Sequence, residues 1–276
     1  MKPLLKWAGG KRHIACELEA SFPANWNSGT YIEPFIGGGA MYVHLNPSNA
    51  VIADLNKRLV GFYSHIQKNV DETFNAISEV ANEFDRAPLE EKKDLYLSFR
   101  TRFNASDVDS LESAVFLYSL NKLCFNGLYR ENSKGGFNVP FGQKKHFPPL
   151  IREDFEEVSR LLEHTEILNS DFEETIATAK RGDFVYLDPP YVPIDITASF
   201  TSYHSEGFGV TDQQRLAEAM IELGKSGVKA MCSNSDTPLT REIYGQLNVA
   251  TIQAPRMVSA KASGRGSVSE LVITNY

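Results

Sequence analysis

The run Phe184-Val185-Tyr186-Leu187 is entered through Gly182-Asp183 and left through Asp188-Pro189-Pro190-Tyr191. A short apolar, β-rich run between a turn signal and a proline pair predicts a strand buried in a parallel sheet. A carboxylate, two rigid rings and an aromatic side chain then stand at the carboxyl end of a central strand. Open α/β sheets bind their ligands at that edge.

The residue types suggest what would bind. Each proline fixes φ and lacks an N–H, so carbonyls nearby remain free to accept hydrogen bonds. Asp188 adds an acceptor and Tyr191 a flat face. Such a set suits a planar ring carrying an exocyclic amino group, with the acceptors on its N–H protons and the tyrosine stacked on the ring. Acceptors that hold the amino nitrogen near tetrahedral would localise its delocalised lone pair. A strand-to-loop turn with an N-cap aspartate uses the same residues, so the reading needs support from the rest of the chain.

A chain of 276 residues can bury a full core. No apolar stretch approaches a membrane span, and the start, Met1-Lys2-Pro3-Leu4-Leu5-Lys6-Trp7, lacks the apolar core of a signal peptide. Cys16, Cys124 and Cys232 are scattered, with no metal-ligand or redox spacing. The expectation is a cytoplasmic protein in a reducing compartment, with no metal. A net charge of −7 argues against a general nucleic-acid binder but allows a local basic face.

The pattern along the chain predicts an α/β fold. Strands are expected at Thr30 to Phe35, Ala50 to Leu55, Glu166 to Asn169, Phe184 to Leu187 and Val228 to Cys232, with closing strands at Val249 to Gln253 and Leu271 to Thr274. Residues 57–122 read as mostly helical, with apolar stripes at Leu59, Phe62, Ile66 and Val70 and at Leu111, Val115 and Tyr118. Thr211-Asp212-Gln213-Gln214 reads as a capping box opening a helix with Leu216, Met220 and Leu223 on one face and Gly224 or Gly227 at its end. The segment Cys124 to Pro149 is rich in Asn, Gly, Pro, Lys and aromatics and reads as a long loop, a kind that is usually functional or disordered. The alternation of strands and helices implies a mostly parallel sheet with helices on both faces. Residues 1–56 and 166–276 would form the catalytic core and 57–165 an inserted, mainly helical subdomain.

Three further segments carry chemistry. Phe35-Ile36-Gly37-Gly38-Gly39 follows a strand, and glycines let a backbone approach a ligand closely. The helix start beyond it would favour a carboxylate. Asp54 ends the next strand, where an acidic residue grips ribose hydroxyls. A tight turn alone would explain the glycines, but Asp54 at this spacing favours a site. The pattern departs from the dinucleotide fingerprint and suits a nucleoside bearing an amino acid, such as S-adenosylmethionine. Asp171 and Phe172, after the strand at 166–169, could take the adenine of that donor, or serve only as a turn and helix cap. Lys6-Trp7-Ala8-Gly9-Gly10-Lys11-Arg12 gathers cations and an indole around two glycines. Its spacing is wrong for a phosphate loop; a basic tail is the plain alternative, against which a docked Trp7 argues.

The segments LKWAGGK (5–11), EPFIGGGA (33–40), ADLN (53–56), LNKLCFNGLYREN (120–132), FNVPFG (137–142) and DPPY (188–191) resemble the Dam-type DNA adenine-N6 methyltransferases. TAxFTxYH (197–204) and SNxDTxLTRExY (233–244) extend the resemblance over nearly the whole chain. DPPY is shared by several amino-methyltransferases; KWAGGK with NGLxR and NVPFG is more specific. The resemblance implies a Rossmann-like methyltransferase core that binds S-adenosylmethionine and releases S-adenosylhomocysteine, with the insert as target-recognition subdomain. It implies donor contacts at Trp7, Lys11, Asp54 and Asp188, with Phe35, Gly37 and Gly39 lining the same pocket. Asp188, Pro189 and Tyr191 would hold a flipped adenine. Lys6, Leu128 and Arg130 would read DNA, Phe125 and Asn126 would occupy the gap left by the base, and Pro140 and Lys144 would join the DNA face. Phe125 stands where a tyrosine can occur and Lys144 where an aromatic can occur, which bears on sequence preference rather than chemistry.

The insert's residues agree with that implication. Arg130, Lys134, Lys144, Lys145 and His146 alternate with Phe125, Tyr129, Phe137, Phe141 and Phe147. Cations contact phosphates, and Arg reads guanine in the major groove. Most of the aromatics read better as core of the insert. Arg256, Lys261, Arg265 and His204 divide evenly between DNA or pocket contacts and plain loop positions. The expected activity is methylation of adenine N6 in double-stranded DNA, commonly at GATC, by an enzyme of bacterial or phage origin needing no membrane and no obligate protein partner. Alternatives are methylation of an RNA base or protein amide, and a DNA-binding regulator with a decayed site.

Overall fold

A computed structural model of the chain describes residues 1–193, 207–255 and 267–276. The chain packs as two compact units: Met1–Gly10, Gly37–Asn46 and Asp54–Asn169 form the first, and Lys11–Ile36, Pro47–Ala53 and Ser170–Tyr276 the second. Segment 57–165 falls within the first, together with the start of the chain and the glycine-rich turn. This division follows packing, whereas the division expected from the sequence follows role.

The second unit holds β1 (Tyr31–Glu33), β2 (Ala50–Ala53), β4 (Phe184–Leu187), β5 (Lys229–Ser235), β6 (Asn248–Pro255) and β7 (Ser267–Thr274), while β3 (Thr165–Leu168) belongs to the first. Its strands run in the order β2-β1-β4-β5-β7-β6. The four on the β2 side are parallel, with Ile32 opposite both Val51 and Val185, and Val185 opposite Ala230. The last two pairings are antiparallel, with Cys232 opposite Ile273. All of β1, β2 and β4 is buried, which is why they read as apolar runs without alternation. β5 runs past Cys232 to Ser235, and its polar end, Ser233-Asn234-Ser235, is buried as well.

The helices of the second unit are α1 (Ala15–Glu19), α8 (Phe172–Ile176), α9 (Val210–Lys225) and α10 (Pro238–Ile243). Leu216, Met220 and Leu223 form the buried stripe of α9. Asp212 accepts the Gly209 N–H at 2.9 Å, so the cap sits earlier than the Thr211 start expected from the sequence. That shift turns Gln213 inward, where it is fully buried.

In the first unit α2 (Ala40–Leu45), α3 (Lys57–Lys68), α4 (Val70–Arg86), α5 (Lys92–Ala105), α6 (Leu111–Leu123) and α7 (Arg152–Leu162) carry the expected helical region. The side chains of Asn56, Asn69 and Ser110 accept N–H groups at the starts of α3, α4 and α6. Helix α6 is buried almost throughout and packs on α3, α4 and α5. Segment 124–149 lacks long elements but is tied down. Cys124 bridges Phe141, Glu131 bridges Phe137, and the Tyr96 hydroxyl donates to the Val139 carbonyl at 2.7 Å. Phe137 and Phe147 are buried, as the core reading of these aromatics expects. Among the described residues no helix is long and apolar enough to cross a membrane.

Candidate active site

β4 lies between β1 and β5, both parallel to it, so residues just beyond its carboxyl end meet the ends of its neighbours. The Lys11 ammonium lies 2.7 Å from Asp188 Oδ1 and 2.9 Å from Oδ2, and Ser233 Oγ at the end of β5 donates to Oδ1 at 3.0 Å. Tyr186 OH lies 3.1 Å from the same Ser233 hydroxyl. Lys11 is only 4% exposed, which makes this a charge-assisted pair shielded from water. A carboxylate accepts about four hydrogen bonds, so Asp188 keeps capacity for one more donor.

Tyr191 is held at its hydroxyl and over its ring. Its hydroxyl donates to Glu270 Oε2 at 2.8 Å, and the Lys11 ammonium lies 4.4 Å from its ring centroid. Burial, and then the charges of Asp188 and Glu270, raise the tyrosine pKa well above its ordinary value, so the ring stays neutral. Gln213 holds the Pro190 carbonyl before Tyr191, and Asn234 and Ser235 hold the Val192 backbone after it. Among the described residues nothing donates to the Pro189 carbonyl.

Elsewhere in the second unit Phe35 stacks on Phe172 at 5.6 Å, and Phe208 meets both rings. Phe172 is buried in this cluster, with the Arg215 guanidinium 4.9 Å from its centroid. Asp171 caps α8 through the Glu173 N–H and also accepts Arg215 at 3.0 Å.

The glycine-rich turn belongs to the first unit. Gly37 takes φ +47°, and a Cβ there would lie 2.7 Å from Trp7 Cδ1. The indole therefore docks against bare backbone, and a side chain at Gly37 would expel it. Trp7 also stacks on Tyr129 at 5.4 Å. The Gly37 N–H donates to Asp54 Oδ2 at 3.1 Å and the Asn56 N–H to Oδ1 at 2.9 Å, while Tyr63 OH donates to the Gly37 carbonyl. Burial raises the Asp54 pKa above the usual carboxylate value, against the pull of its backbone N–H partners. Gly39 caps α2 in the left-handed conformation.

A separate constellation in the first unit forms around Asn121, itself nearly buried. Its Oδ1 accepts the Lys6 N–H at 2.9 Å, and its Nδ2 donates to the carbonyls of Lys6 and Gly127. Lys6 thereby packs against the single turn Phe125–Gly127, where Asn126 adopts φ 56°. Phe125 is 52% exposed and Leu128 38%, the Phe125 N–H donates to the Pro140 carbonyl, and exposed Arg130 is oriented by Asn138 Oδ1 at 2.6 Å. The structure thus brings Lys6, Phe125, Asn126, Leu128 and Pro140 together. Lys144 lies further on, past Gln143 at φ 54°.

A family model for D12 class N6 adenine-specific DNA methyltransferases matches residues 7–258. The chain belongs to this family. A type II methyltransferase, M1.LlaDCHI of Lactococcus lactis subsp. cremoris, is 38% identical, over 100% of this chain and 96% of its own length. Another, M.MjaIII of Methanocaldococcus jannaschii, is 38% identical over 100% and 99%. The DNA adenine methylase of Serratia marcescens is 36% identical over 98% and 97%. This methyltransferase is accordingly an adenine-specific DNA-modifying enzyme that uses S-adenosylmethionine, with the mixed α/β, mostly parallel fold expected from its sequence.

Several residues around this methyltransferase's DPPY loop were missed by sequence reasoning. Ser233 and Asn234 stood inside the SNxD motif, but nothing in the motif said that they face the loop. Gln213 was hidden in a capping pattern, and Glu270 stood just before the expected closing strand at Leu271 to Thr274. The expectations at 197–204 and at Arg256, Lys261 and Arg265 lie outside the described residues. Among the described residues no cluster of His, Cys, Asp and Glu is arranged to hold a metal ion.

Proposed function

We propose that the enzyme methylates N6 of a flipped adenine in double-stranded DNA, with GATC as its recognition sequence. The observation that carries the chemistry is the Asp188 carboxylate held by Lys11 and Ser233 beside an anchored Tyr191. In this reading Tyr191 stacks on the base, Asp188 accepts one amino N–H and the Pro189 carbonyl the other. The amino lone pair is thereby aimed, and Asp188 stands ready for the proton released as the new N–C bond forms. Positioning of this kind lowers barriers by roughly 7–11 kcal/mol in favourable cases.

Donor binding is assigned to Trp7, Lys11, Phe35, Gly37, Gly39, Asp54, Asp171, Phe172 and Asp188. The residues suit such a donor: Asp54 spends two of its acceptor positions on backbone N–H groups and keeps others for ribose hydroxyls. S-adenosylmethionine supplies a methyl group made electrophilic by its sulfonium and leaves as S-adenosylhomocysteine; the reading needs no metal. Lys6, Phe125, Asn126, Leu128, Arg130, Pro140 and Lys144 are assigned to DNA, which makes 57–165 the target-recognition part and 1–56 with 166–276 the catalytic part. GATC is supported by the likeness of the NGLxR and NVPFG segments to those of the Dam-type enzymes. The enzyme would work in the cytoplasm on chromosomal or phage DNA, without an obligate protein partner.

Two measurements test this. Asp188→Ala should cut methyl transfer at least a hundredfold with the fold intact; full activity in that variant ends the assignment. Single-molecule sequencing of DNA from cells making the protein should show N6-methyladenine at GATC. Methylation at another sequence would overturn the site, tritium transfer to RNA or protein would change the substrate, and donor binding without turnover would leave a DNA-binding regulator.

A further inference from the structure

The loop after β4 has a difficulty built into it. Pro189 and Pro190 have no N–H to give, so the loop must be pinned through its carbonyls and the residues that follow. The pins come from a buried polar network of the second unit. Gln213 on α9, fully buried, donates from Nε2 to the Pro190 carbonyl at 2.8 Å. Its Oε1 accepts from Asn234 Nδ2 at 3.0 Å and from Tyr244 OH at 2.6 Å. Asn234 Oδ1 in turn accepts the Val192 N–H at 3.2 Å, and Ser235 Oγ donates to the Val192 carbonyl. Donors and acceptors match at every junction, which fixes the orientation of both amides and makes the network stiff.

We propose that Gln213 is a positioning residue for methyl transfer, holding the Pro190 carbonyl so that Tyr191 and the Pro189 carbonyl face the target amino group. This deepens the assignment of Asp188-Pro189-Pro190-Tyr191 as the amino-gripping loop and rests on it. The peptide plane after Pro190 sets the direction of the Tyr191 Cα, and the proline ring passes that constraint back to Pro189. With the Pro190 carbonyl committed to Gln213, the Pro189 carbonyl is the neighbouring acceptor left for substrate. Freed from Gln213, the plane can rotate, and a misplacement of about 1 Å at a reacting group costs on the order of a hundredfold in rate.

The test uses the full-length enzyme. Gln213→Glu keeps the acceptor for Asn234 and Tyr244 and replaces the donor with an oxygen that repels the Pro190 carbonyl. Tyr244→Phe removes one donor to Gln213 and leaves the loop contact in place. The expected result is a kcat at least tenfold lower for Gln213→Glu, KM values for donor and DNA within about twofold, and a urea midpoint lowered by the buried carboxylate but still leaving the enzyme folded in the assay. Tyr244→Phe should lose less than threefold in kcat. A duplex with 2-aminopurine at the target position should still gain fluorescence on binding Gln213→Glu, which shows flipping without productive placement. Wild-type kcat in Gln213→Glu, or a loss that only tracks the fraction of folded protein, overturns the proposal. Asp188→Ala run alongside separates the two ideas: an inactive Asp188→Ala with a fully active Gln213→Glu sinks the Gln213 role alone, whereas an active Asp188→Ala sinks the reading of the loop itself and this role with it.

Discussion

The loop beyond β4 and the segment 124–149 are both irregular, and both carry residues assigned to substrate, yet they are built in opposite ways. In the first, side chains are held: Asp188 by Lys11 and Ser233, Tyr191 by Glu270. In the second, the backbone is held and the side chains reach outward: Asn121 clamps Lys6 and Gly127, Phe125 and Leu128 face solvent, and exposed Arg130 is tethered to Asn138. Chemistry on one invariant amino group rewards a fixed geometry. Reading a long, charged duplex rewards side chains that reach outward from a fixed frame.

The comparison breaks most visibly at Lys11. Lys11→Met should leave Asp188 without its buried cation and lower kcat a hundredfold or more, measured by tritium transfer at saturating donor and DNA; a loss under fivefold would mean that the carboxylate needs no fixed partner. Next is Arg130→Ala, which should cost about 1–3 kcal/mol of discrimination at one base pair, read as the ratio of kcat/KM for matched and mismatched duplexes. A uniform loss across sequences would make Arg130 a phosphate anchor instead. Tyr191→Phe keeps the stacking face and drops the Glu270 bond, so a loss of roughly threefold to tenfold in kcat is expected, on the scale of about 0.5–1.5 kcal/mol for one hydrogen bond; Tyr191→Ala should fall much further.

The smallest effect concerns stability. The Asp54 pKa is raised in the folded chain from an ordinary 3.8, chiefly by burial. Its protonated form favours folding, so its contribution is full below 3.8 and is lost as pH rises through the raised folded value. Urea unfolding of the donor-free protein followed upward across that acidic window should show this slope, and Asp54→Asn should flatten it while weakening donor binding. An unchanged slope in the variant would mean that other groups carry it.

The strands β1, β2 and β4 were legible because they are buried on both faces: β4 runs over the predicted Phe184–Leu187, and the ends of β1 and β2, like those of the less buried β3, differ from prediction by a residue or two. β5 was cut short in prediction at Cys232, since Ser233-Asn234-Ser235 has the composition of a loop and pairs as a strand only because its side chains find buried partners. The candidate site was half legible. Residues in short motifs, such as Asp188 and Asp54, could be named from their place at strand ends, and Trp7 from the family resemblance. Partners that arrive from remote elements, such as Gln213, Glu270 and the Ser233 hydroxyl, carry no local signal. Their contacts exist only after the sheet has formed. Asn121 sat inside a quoted motif, yet its grip on Lys6 spans a sequence distance that no periodicity reports.

The docking of Trp7 has a practical side. The chain has two tryptophans, and the other, Trp26, sits edge-on to Tyr31 at 6.1 Å in the second unit. Replacing Trp26 by Phe would leave a single indole pressed on the glycine turn, whose emission colour and quenching would register changes there. The protein carries its own optical probe, and occupancy of that corner could be followed in real time without a label.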